Sequence, residues 1–430
     1  MKIPGFRPSG TWRPGHTRSL TLMAGGLAFL VYSCMYAFRK PFTAAAFDKV
    51  PGFDGDYKLW LVLAQLAGYT MSKFWGIRLI SEMPPHRRAP VLTFLILLAW
   101  LSLLGFALAP PIWGLSFMLL NGVPLGLVWG LVFSYLEGRR TTELMGAMLS
   151  ISFIFSSGFV KSVGSWLMIR WQISEYWMPF LTGALFIGPF LFFTYWLNRM
   201  PPPDAKDQAL RSPRTPMSKV ERRDFLAAFL PGITALVIGY VILSIGRDFR
   251  DNFAAELFRE NGFGSVPAVF TATEIPVSLV VLASMGLLFL IRDNVKALLV
   301  NQIVVLSGLA LVLAAGFLFW TGILPALGWI TLTGVGFYLG YVPFNCLLFE
   351  RLIAAARRPA NAGFLIYVAD ALGYLGVVGV YLFRMFQPAG VHWTRFFLVL
   401  SMGGAVVAIL VMLYSQMYFN KKLNPNSYEK

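Results

Sequence analysis

The sequence predicts an all-α integral membrane protein, with about twelve transmembrane helices arranged as two pseudo-symmetric bundles of six. First, 57% of the 430 residues are hydrophobic and only 13% are charged, whereas soluble domains usually carry about 25% charged residues. Second, apolar segments of about 20 residues, the length that crosses a bilayer, recur along the whole chain. Third, a short motif at the end of the first segment returns at the end of the seventh.

The twelve apolar segments fall into two sets of six around a polar stretch. The first set lies at about 19–47, 57–80, 89–109, 111–137, 142–168 and 176–198, and the second at about 225–258, 265–291, 295–320, 323–350, 360–386 and 393–419. This division predicts a cytoplasmic arm (1–18), a first bundle (19–198), a cytoplasmic linker (199–223), a second bundle (224–420) and a cytoplasmic tail (421–430). The longest polar stretch is too short for a core of its own, so no soluble catalytic domain is expected.

The distribution of Lys and Arg predicts the orientation in the membrane. If the N-terminus is cytoplasmic, cytoplasmic stretches carry roughly four times as many Lys and Arg residues as the opposite side, which is the bias that sets topology. Both termini are therefore predicted to be cytoplasmic, in a bacterial-type inner membrane. The net charge of +16 then belongs to loops, so no nucleic-acid partner is expected.

The repeated motif carries one arginine in each half. The first copy begins Phe38-Arg39-Lys40-Pro41-Phe42 and the second Phe249-Arg250-Asp251-Asn252-Phe253. Because a guanidinium grips phosphate or carboxylate with two parallel hydrogen bonds, we predict that Arg39 and Arg250 face one cavity and bind an anion. The apolar run after Arg39 predicts that the first helix continues to Phe47. The alternative is that Arg39 and Lys40 reach out to lipid headgroups.

Helical spacing places further polar residues beside these arginines. Tyr32, Tyr36 and Arg39 share one helix face, because they are spaced i, i+4 and i+7. Gln65, Tyr69 and Lys73 share a face of the second helix in the same way, and Lys73 is predicted to line the cavity. Lys161, close to Trp166, is predicted to reach the membrane interface instead.

Three carboxylates are candidates for coupling or gating. Glu274 and Asp370 lie near the middle of their segments, where an ionisable group is costly and usually functional. Either residue is a candidate to carry a coupling proton, and the alternative is a fixed ion pair with a Lys or Arg. Asp251 is spaced i+4 from Arg247, so it is expected to hold Arg247 in place or to act as a gate.

Motifs for enzymatic chemistry and for cofactors are missing from the sequence. There is no Walker loop, nucleophile elbow or HExxH arrangement, so the chain is not expected to be an enzyme. Cys34 and Cys346 lie inside apolar runs, and the three histidines are scattered. Neither pattern predicts a metal site, a disulfide or a cofactor.

Patches in both halves resemble a known family. The pattern Tyr32-x-x-x-Tyr36-x-x-Arg39-Lys40-x-Phe42 is similar to the first-helix motif of the organophosphate:phosphate antiporters, a branch of the major facilitator superfamily. Ser72-Lys73-Phe74 and the Tyr240 segment with its arginines also resemble that branch. The resemblance implies the major facilitator fold. It also implies that a substrate phosphate is clamped by Arg39 and by either Arg247 or Arg250, with Lys73 nearby.

The predicted function is secondary active transport of a small organic anion by alternating access, and the resemblance points to a phosphate ester. The expected partners are that anionic solute and the lipid bilayer, with the protein acting as a monomer. Two alternatives stay open at this stage. One is a transporter-like membrane sensor. The other is a proton-coupled exporter of small molecules, which would require Asp370 and Glu274 to dominate the cavity.

Overall fold

A computed structural model describes most of both predicted bundles. It covers residues 17–48, 50, 53, 57–81, 83–139, 141–203, 207, 219–356, 362–387 and 391–423. Most of the predicted arm, linker and tail lies outside the described residues. We call the side of the protein at which the first helix ends the outer side and the opposite side the inner side, after the orientation predicted from charge.

Twelve long helices follow the predicted segments. The first half contains α1 (Thr17–Tyr36), α2 (Tyr57–Ser81), α3 (Arg88–Leu108), α4 (Pro111–Ser134), α5 (Thr142–Trp171) and α6 (Met178–Asn198). The second half contains α7 (Lys219–Asn252), α8 (Val269–Phe289), α9 (Asn294–Trp320), α10 (Ala326–Ala356, with a π turn at Phe344–Leu348), α11 (Ala362–Met385) and α12 (Trp393–Leu423). A short outer helix, Ala254–Glu260, follows α7.

Length and composition match a membrane protein throughout the described part of the chain. Eleven of the helices are long and apolar enough to cross a membrane. The remaining one, α2, has 25 residues, which corresponds to a length of about 38 Å at 1.5 Å per residue. The predicted fold class, an all-α membrane protein of two six-helix bundles, is confirmed.

The first helix ends earlier than the sequence predicted. It stops at Tyr36, and Arg39 lies in the turn that leads to a 3₁₀ helix at Pro41–Ala44. Pro41 has no N–H to continue the helical hydrogen bonds, and Phe47 adopts a positive φ of 55°. The expectation of a helix through Phe47 is therefore wrong. The second copy of the motif differs, because Arg250 still lies within α7.

The two halves meet most closely where α5 packs against α8. A Cβ added at Gly158 of α5 would lie 2.5 Å from the Phe270 carbonyl oxygen and 2.6 Å from the Glu274 Cγ atom. Beside it, the Ser162 hydroxyl accepts hydrogen bonds from the backbone N–H and the hydroxyl of Thr271, at 3.1 and 2.7 Å. Small residues allow this close helix contact, which closes the outer side in this conformation.

A side chain at position 158 is expected to hold the outer side open. Gly158→Val places a side chain against the α8 backbone, and such overpacking costs about 1–3 kcal/mol. The closed form should then lose population relative to an outward-open form by roughly 5- to 150-fold. Spin labels at Gln172 and Thr321, at the outer ends of α5 and α9, measure this as a longer distance. Gly188→Val is the control, because nothing lies within 4 Å of a Cβ there, and equal distances in both variants would contradict the prediction.

Candidate functional site

Cations and tyrosines from both halves meet in the middle of the protein. We call this group the central cluster; it consists of Arg39, Lys73, Arg247, Asp370, Tyr32, Tyr36, Tyr69, Tyr240, Tyr341 and Tyr374. Helices α1 and α2 contribute from the first half, and α7, α10 and α11 from the second. The cluster thus contains three cations and one carboxylate.

Arg39 is held by aromatic rings. Its guanidinium carbon lies 4.2 Å from the centre of the Tyr69 ring and 5.9 Å from that of Tyr36. Among the described residues it takes part in no ion pair. Tyr32 packs edge-on against Tyr36, with ring centres 5.6 Å apart. A cation over a ring is attracted less strongly than a cation beside a carboxylate, so Arg39 keeps hydrogen-bonding capacity for an anion.

Arg247 supplies a comparable guanidinium from the second half. It lies 4.2 Å from the centre of the Tyr341 ring. Its nearest carboxylate oxygen, on Asp248, is 3.5 Å away. The Asp248 carboxylate also accepts hydrogen bonds from Tyr381 and Asn252, at 2.7 and 2.8 Å. The predicted pairing of Arg247 with Asp251 is wrong, because Asp251 is engaged by lysines of the first half.

Lys73 and Asp370 connect the two halves on the inner side of the cluster. The Lys73 ammonium lies 2.7 Å from Asp370 Oδ2 and donates to the Tyr374 hydroxyl at 3.2 Å. The Tyr240 hydroxyl donates to the other Asp370 oxygen, and its ring stacks on Tyr341 with centres 5.2 Å apart. In this conformation Asp370 therefore lies in an ion pair with a lysine, which is one of the two roles that the sequence left open; the other is to carry a coupling proton.

Arg250 lies outside the central cluster. Its side chain is 2% exposed, and it turns toward α8, where Nη1 is 2.7 Å from Glu274 Oε1 and Nε donates to the Ile330 carbonyl at 2.9 Å. The arginine of α7 that reaches the cluster in this conformation is thus Arg247. Glu274 likewise lies in an ion pair. The anion-binding role of Arg250 and the coupling role of Glu274 stay predictions.

A second group of charges joins the halves on the outer side. We call it the outer gate; it consists of Lys40, Ser157, Lys161, Asp251 and Asn252. The Asp251 carboxylate lies 2.5 Å from the Lys40 ammonium and 2.6 Å from that of Lys161, and it accepts a hydrogen bond from Ser157. Lys40 also donates to Asn252 at 2.7 Å. The prediction that Lys161 reaches the membrane interface is wrong. The Lys161 side chain is buried, and its charge is paired with the Asp251 carboxylate.

Two further ion pairs lie on the outer side of the protein, beyond the outer gate. The Lys58 ammonium is 2.7 Å from Glu256 of the short outer helix and 2.7 Å from the Thr43 carbonyl oxygen. Burial raises the pKa of the Glu256 carboxyl, and the Lys58 charge opposes that rise. Nearer the surface, Arg259 pairs with Asp48. Each pair joins the first half to the second, so the outer side is closed by charge as well as by packing.

Sequence reasoning missed the amides that connect these charges. Asn252 joins Lys40 of the gate to Asp248, the neighbour of Arg247. In the π turn of α10, Asn345 lies 3.5 Å from the Tyr240 hydroxyl. A buried amide inside an apolar segment is a signal for such roles, because it needs a hydrogen-bonding partner there.

The order of the helices and the two joined halves define the class of protein. It is a multi-pass membrane protein with the fold of the major facilitator superfamily. More particularly, the chain belongs to the family DUF5690, described as a family of unknown function, whose sequence profile matches residues 41–422. No curated protein matches the sequence.

Solved structures share this fold at low sequence identity. A D-xylose-proton symporter superposes with a TM-score of 0.59 at 18% identity, covering 93% of this chain and 97% of its own. The nucleoside transporter NupG gives 0.59 at 17% identity, with 94% and 99% covered. A POT family transporter in complex with 5-aminolevulinic acid gives 0.57 at 15% identity, with 94% and 97% covered. At such identities the similarity shows the fold alone.

Proposed function

We propose that this protein is a secondary active transporter of a small organic anion that works by alternating access. The observation that carries the proposal is the central cluster, where Arg39 and Arg247 reach in from opposite halves and rest on tyrosine rings. Transporters of this architecture bind substrate between their halves near the middle of the membrane. The transport functions named for the structural neighbours support transport rather than catalysis.

The charges of the cluster favour an anion over a cation. Arg39, Lys73 and Arg247 still outnumber the two nearby carboxylates, Asp370 within the cluster and Asp248 at 3.5 Å from Arg247. Asp370 itself is engaged by Lys73 and Tyr240, so a cationic substrate would have to displace both partners. These contacts support an anion transporter over the proton-coupled exporter that the sequence left open.

Within this class we propose a phosphate ester as the substrate, exchanged for phosphate. Two guanidiniums from opposite halves match the several oxygens of a phosphoryl group, each of which accepts charge-assisted hydrogen bonds. The sequence resemblance to the organophosphate:phosphate antiporters points the same way. We also propose a bacterial-type inner membrane, with both termini cytoplasmic. Because one chain supplies both arginines, we propose that it acts as a monomer.

The two inter-half contacts suggest how access alternates. In this conformation the outer gate is closed, and Lys73 and Asp370 join the halves on the inner side. An anion bound between Arg39 and Arg247 would compete with Asp370 for Lys73 and release that contact. Opening to the outer side requires Asp251 to leave Lys40 and Lys161, and water then solvates these groups.

Removing either cluster arginine is expected to weaken binding of the transported anion. Purified protein in proteoliposomes loaded with inorganic phosphate is tested for uptake of glycerol 3-phosphate, glucose 6-phosphate, inorganic phosphate and malate, with and without a pH gradient. A hydrogen bond to a charged group contributes about 1.5–3 kcal/mol. Arg39→Ala and Arg247→Ala should therefore each raise the half-saturation concentration by roughly 10- to 100-fold.

The matched control is Arg199→Ala. Arg199 also lies over a tyrosine ring, 4.3 Å from the centre of Tyr195, but at the end of α6 and outside the cluster. It should transport like the unmodified protein. Normal uptake by both cluster variants, or uptake of none of the four anions by the unmodified protein, would overturn the proposed function.

A further inference from the structure

Two buried amides hold the turn that carries Arg39. Gln65 of α2 donates through Nε2 to the Arg39 carbonyl oxygen at 3.0 Å and to Asn121 Oδ1 at 2.7 Å. Asn121 of α4 donates through Nδ2 to the carbonyl oxygens of Phe38 and Ala99, at 3.1 and 2.9 Å. Gln65 is 7% exposed and Asn121 is fully buried. The two amides thus hydrogen-bond consecutive carbonyl groups of the turn.

These carbonyl groups need donors because α1 has already ended. Phe38 and Arg39 follow the last helical residue, Tyr36. Inside a membrane protein a carbonyl without a donor is costly, since no bulk water replaces the missing bond. The amides therefore restrict the turn to the geometry in which both carbonyls are satisfied.

The same face of α2 also holds the side chain of Arg39. Gln65 and Tyr69 are one helical turn apart; Gln65 bonds the backbone of residue 39, and the Tyr69 ring lies 4.2 Å from its guanidinium. One turn further along the same face of α2, the Lys73 ammonium contacts the Asp370 carboxylate. One face of α2 thus contacts both the backbone carbonyl and the guanidinium of Arg39.

Close packing makes this support rigid. A Cβ added at Gly122, the residue after Asn121, would lie only 2.1 Å from the Gln65 carbonyl oxygen. The backbones of α2 and α4 therefore touch at the level of the two amides. This contact fixes the relative position of the two helix backbones from which the amides reach the turn.

We propose that Gln65 and Asn121 are positioning residues that orient Arg39 for its anion. The inference rests on the proposed function, because it assigns the two amides to the binding of the same substrate. They act through Arg39 and do not touch the substrate themselves. A binding group has to be held within about 0.5 Å of its productive geometry, so the loss of either amide is expected to lower the affinity for the anion.

The test removes each amide with little change of shape. Gln65→Met and Asn121→Leu should raise the half-saturation concentration for glycerol 3-phosphate or malate uptake roughly tenfold or more, while the maximal rate stays within about twofold. In an Arg39→Ala background, the same changes should have no further effect on the binding of either anion. Binding is measured as the rise in Tm when the anion is added. This lack of additivity distinguishes action through Arg39 from a general loss of packing.

Matched controls come from α9 in the second half. Asn301 and Gln302 are buried amides, 1% and 0% exposed, and neither contacts the turn at Arg39. Asn301→Leu and Gln302→Met show how much the loss of a buried amide lowers the Tm of the ligand-free protein. Both variants should bind the anion with unchanged affinity.

Three results would overturn the inference, and they separate it from the proposed function. If Arg39→Ala abolishes binding while Gln65→Met and Asn121→Leu bind normally, the positioning role is wrong and the proposed function stands. The same holds if the amide variants weaken binding equally with and without Arg39. If the unmodified protein binds none of glycerol 3-phosphate, glucose 6-phosphate, inorganic phosphate and malate, both proposals fall together.

Discussion

Replacing Asp251 by alanine is expected to open the outer side of the protein. Asp251 is the carboxylate that lies against both Lys40 and Lys161, at 2.5 and 2.6 Å, and all three side chains are buried. Its removal leaves two ammonium groups in a closed interior, and breaking a buried pair in this way costs about 3–5 kcal/mol. The outward-open form escapes that cost, since water reaches the lysines there.

The size of the effect follows from that cost. The outward-open population should rise relative to the closed one by roughly 150- to 5,000-fold. Spin labels at Gln172 and Thr321, in a background without Cys34 and Cys346, measure it as a shift of the distance distribution. Transport should fall with it, because a protein held in one conformation does not complete the cycle.

Asp48→Ala is the matched control on the same side of the protein. Asp48 also pairs with a cation of the opposite half, Arg259, but these side chains are 62% and 49% exposed. Exposed pairs contribute about 0–1 kcal/mol, so its label distances should stay close to those of the unmodified protein. An unchanged distance distribution in Asp251→Ala would show that the outer gate does not hold the closed form.

The helices could be predicted from the sequence because bilayer thickness sets their length. Among the described residues, each of the twelve apolar segments contains a long helix, with most ends displaced by a few residues. The largest miss is the end of α1, where apolar residues continue but the helix does not. Hydrophobicity carries no information about Pro41 and the positive φ of Phe47, which depend on backbone geometry.

The candidate site was predictable only where its residues are neighbours on one helix. Tyr32 and Tyr36 of α1 and Tyr69 and Lys73 of α2 lie in the central cluster, and helical spacing was sufficient to group each pair. Arg39 joins them from the turn after α1. The pairs across the halves were not predictable, because Lys161 and Asp251 are 90 residues apart and nothing local relates them.

The repeated motif shows the same limit within one helix. Its register aligns Arg39 with Arg250, but Arg39 lies in a turn while Arg250 is still helical. The two side chains therefore leave the backbone in different directions. The choice between Arg247 and Arg250 depends on where Glu274 of α8 lies, and sequence alone does not contain that position.

Replacing Arg250 alone is expected to destabilise the protein strongly, and replacing Arg250 and Glu274 together is expected to restore it. Their side chains are 2% and 8% exposed, with Nη1 and Oε1 2.7 Å apart. Arg250→Met leaves the Glu274 carboxylate buried opposite a thioether, and Glu274→Leu leaves the guanidinium unpaired. Each change should lower the free energy of unfolding by about 3–5 kcal/mol, measured by denaturant unfolding in detergent.

The double variant should recover most of that loss, because apolar groups of similar volume often replace a buried ion pair without cost. This pair is also incompletely satisfied: Arg250 Nη2 and Glu274 Oε2 have no hydrogen-bond partner among the described residues. A double variant as unstable as the single ones would show that these side chains have other essential contacts.

The double variant also decides between the two arginines of α7. If Arg250 is only the partner of Glu274, the restored protein should bind glycerol 3-phosphate or malate as the unmodified protein does, while Arg247→Ala should lose that affinity by roughly 10- to 100-fold. If the restored protein is stable but no longer binds either anion, Arg250 takes part in recognition after all. The guanidinium would then have to leave Glu274 in another step of the transport cycle, and Glu274 would become the group that holds it in the closed conformation.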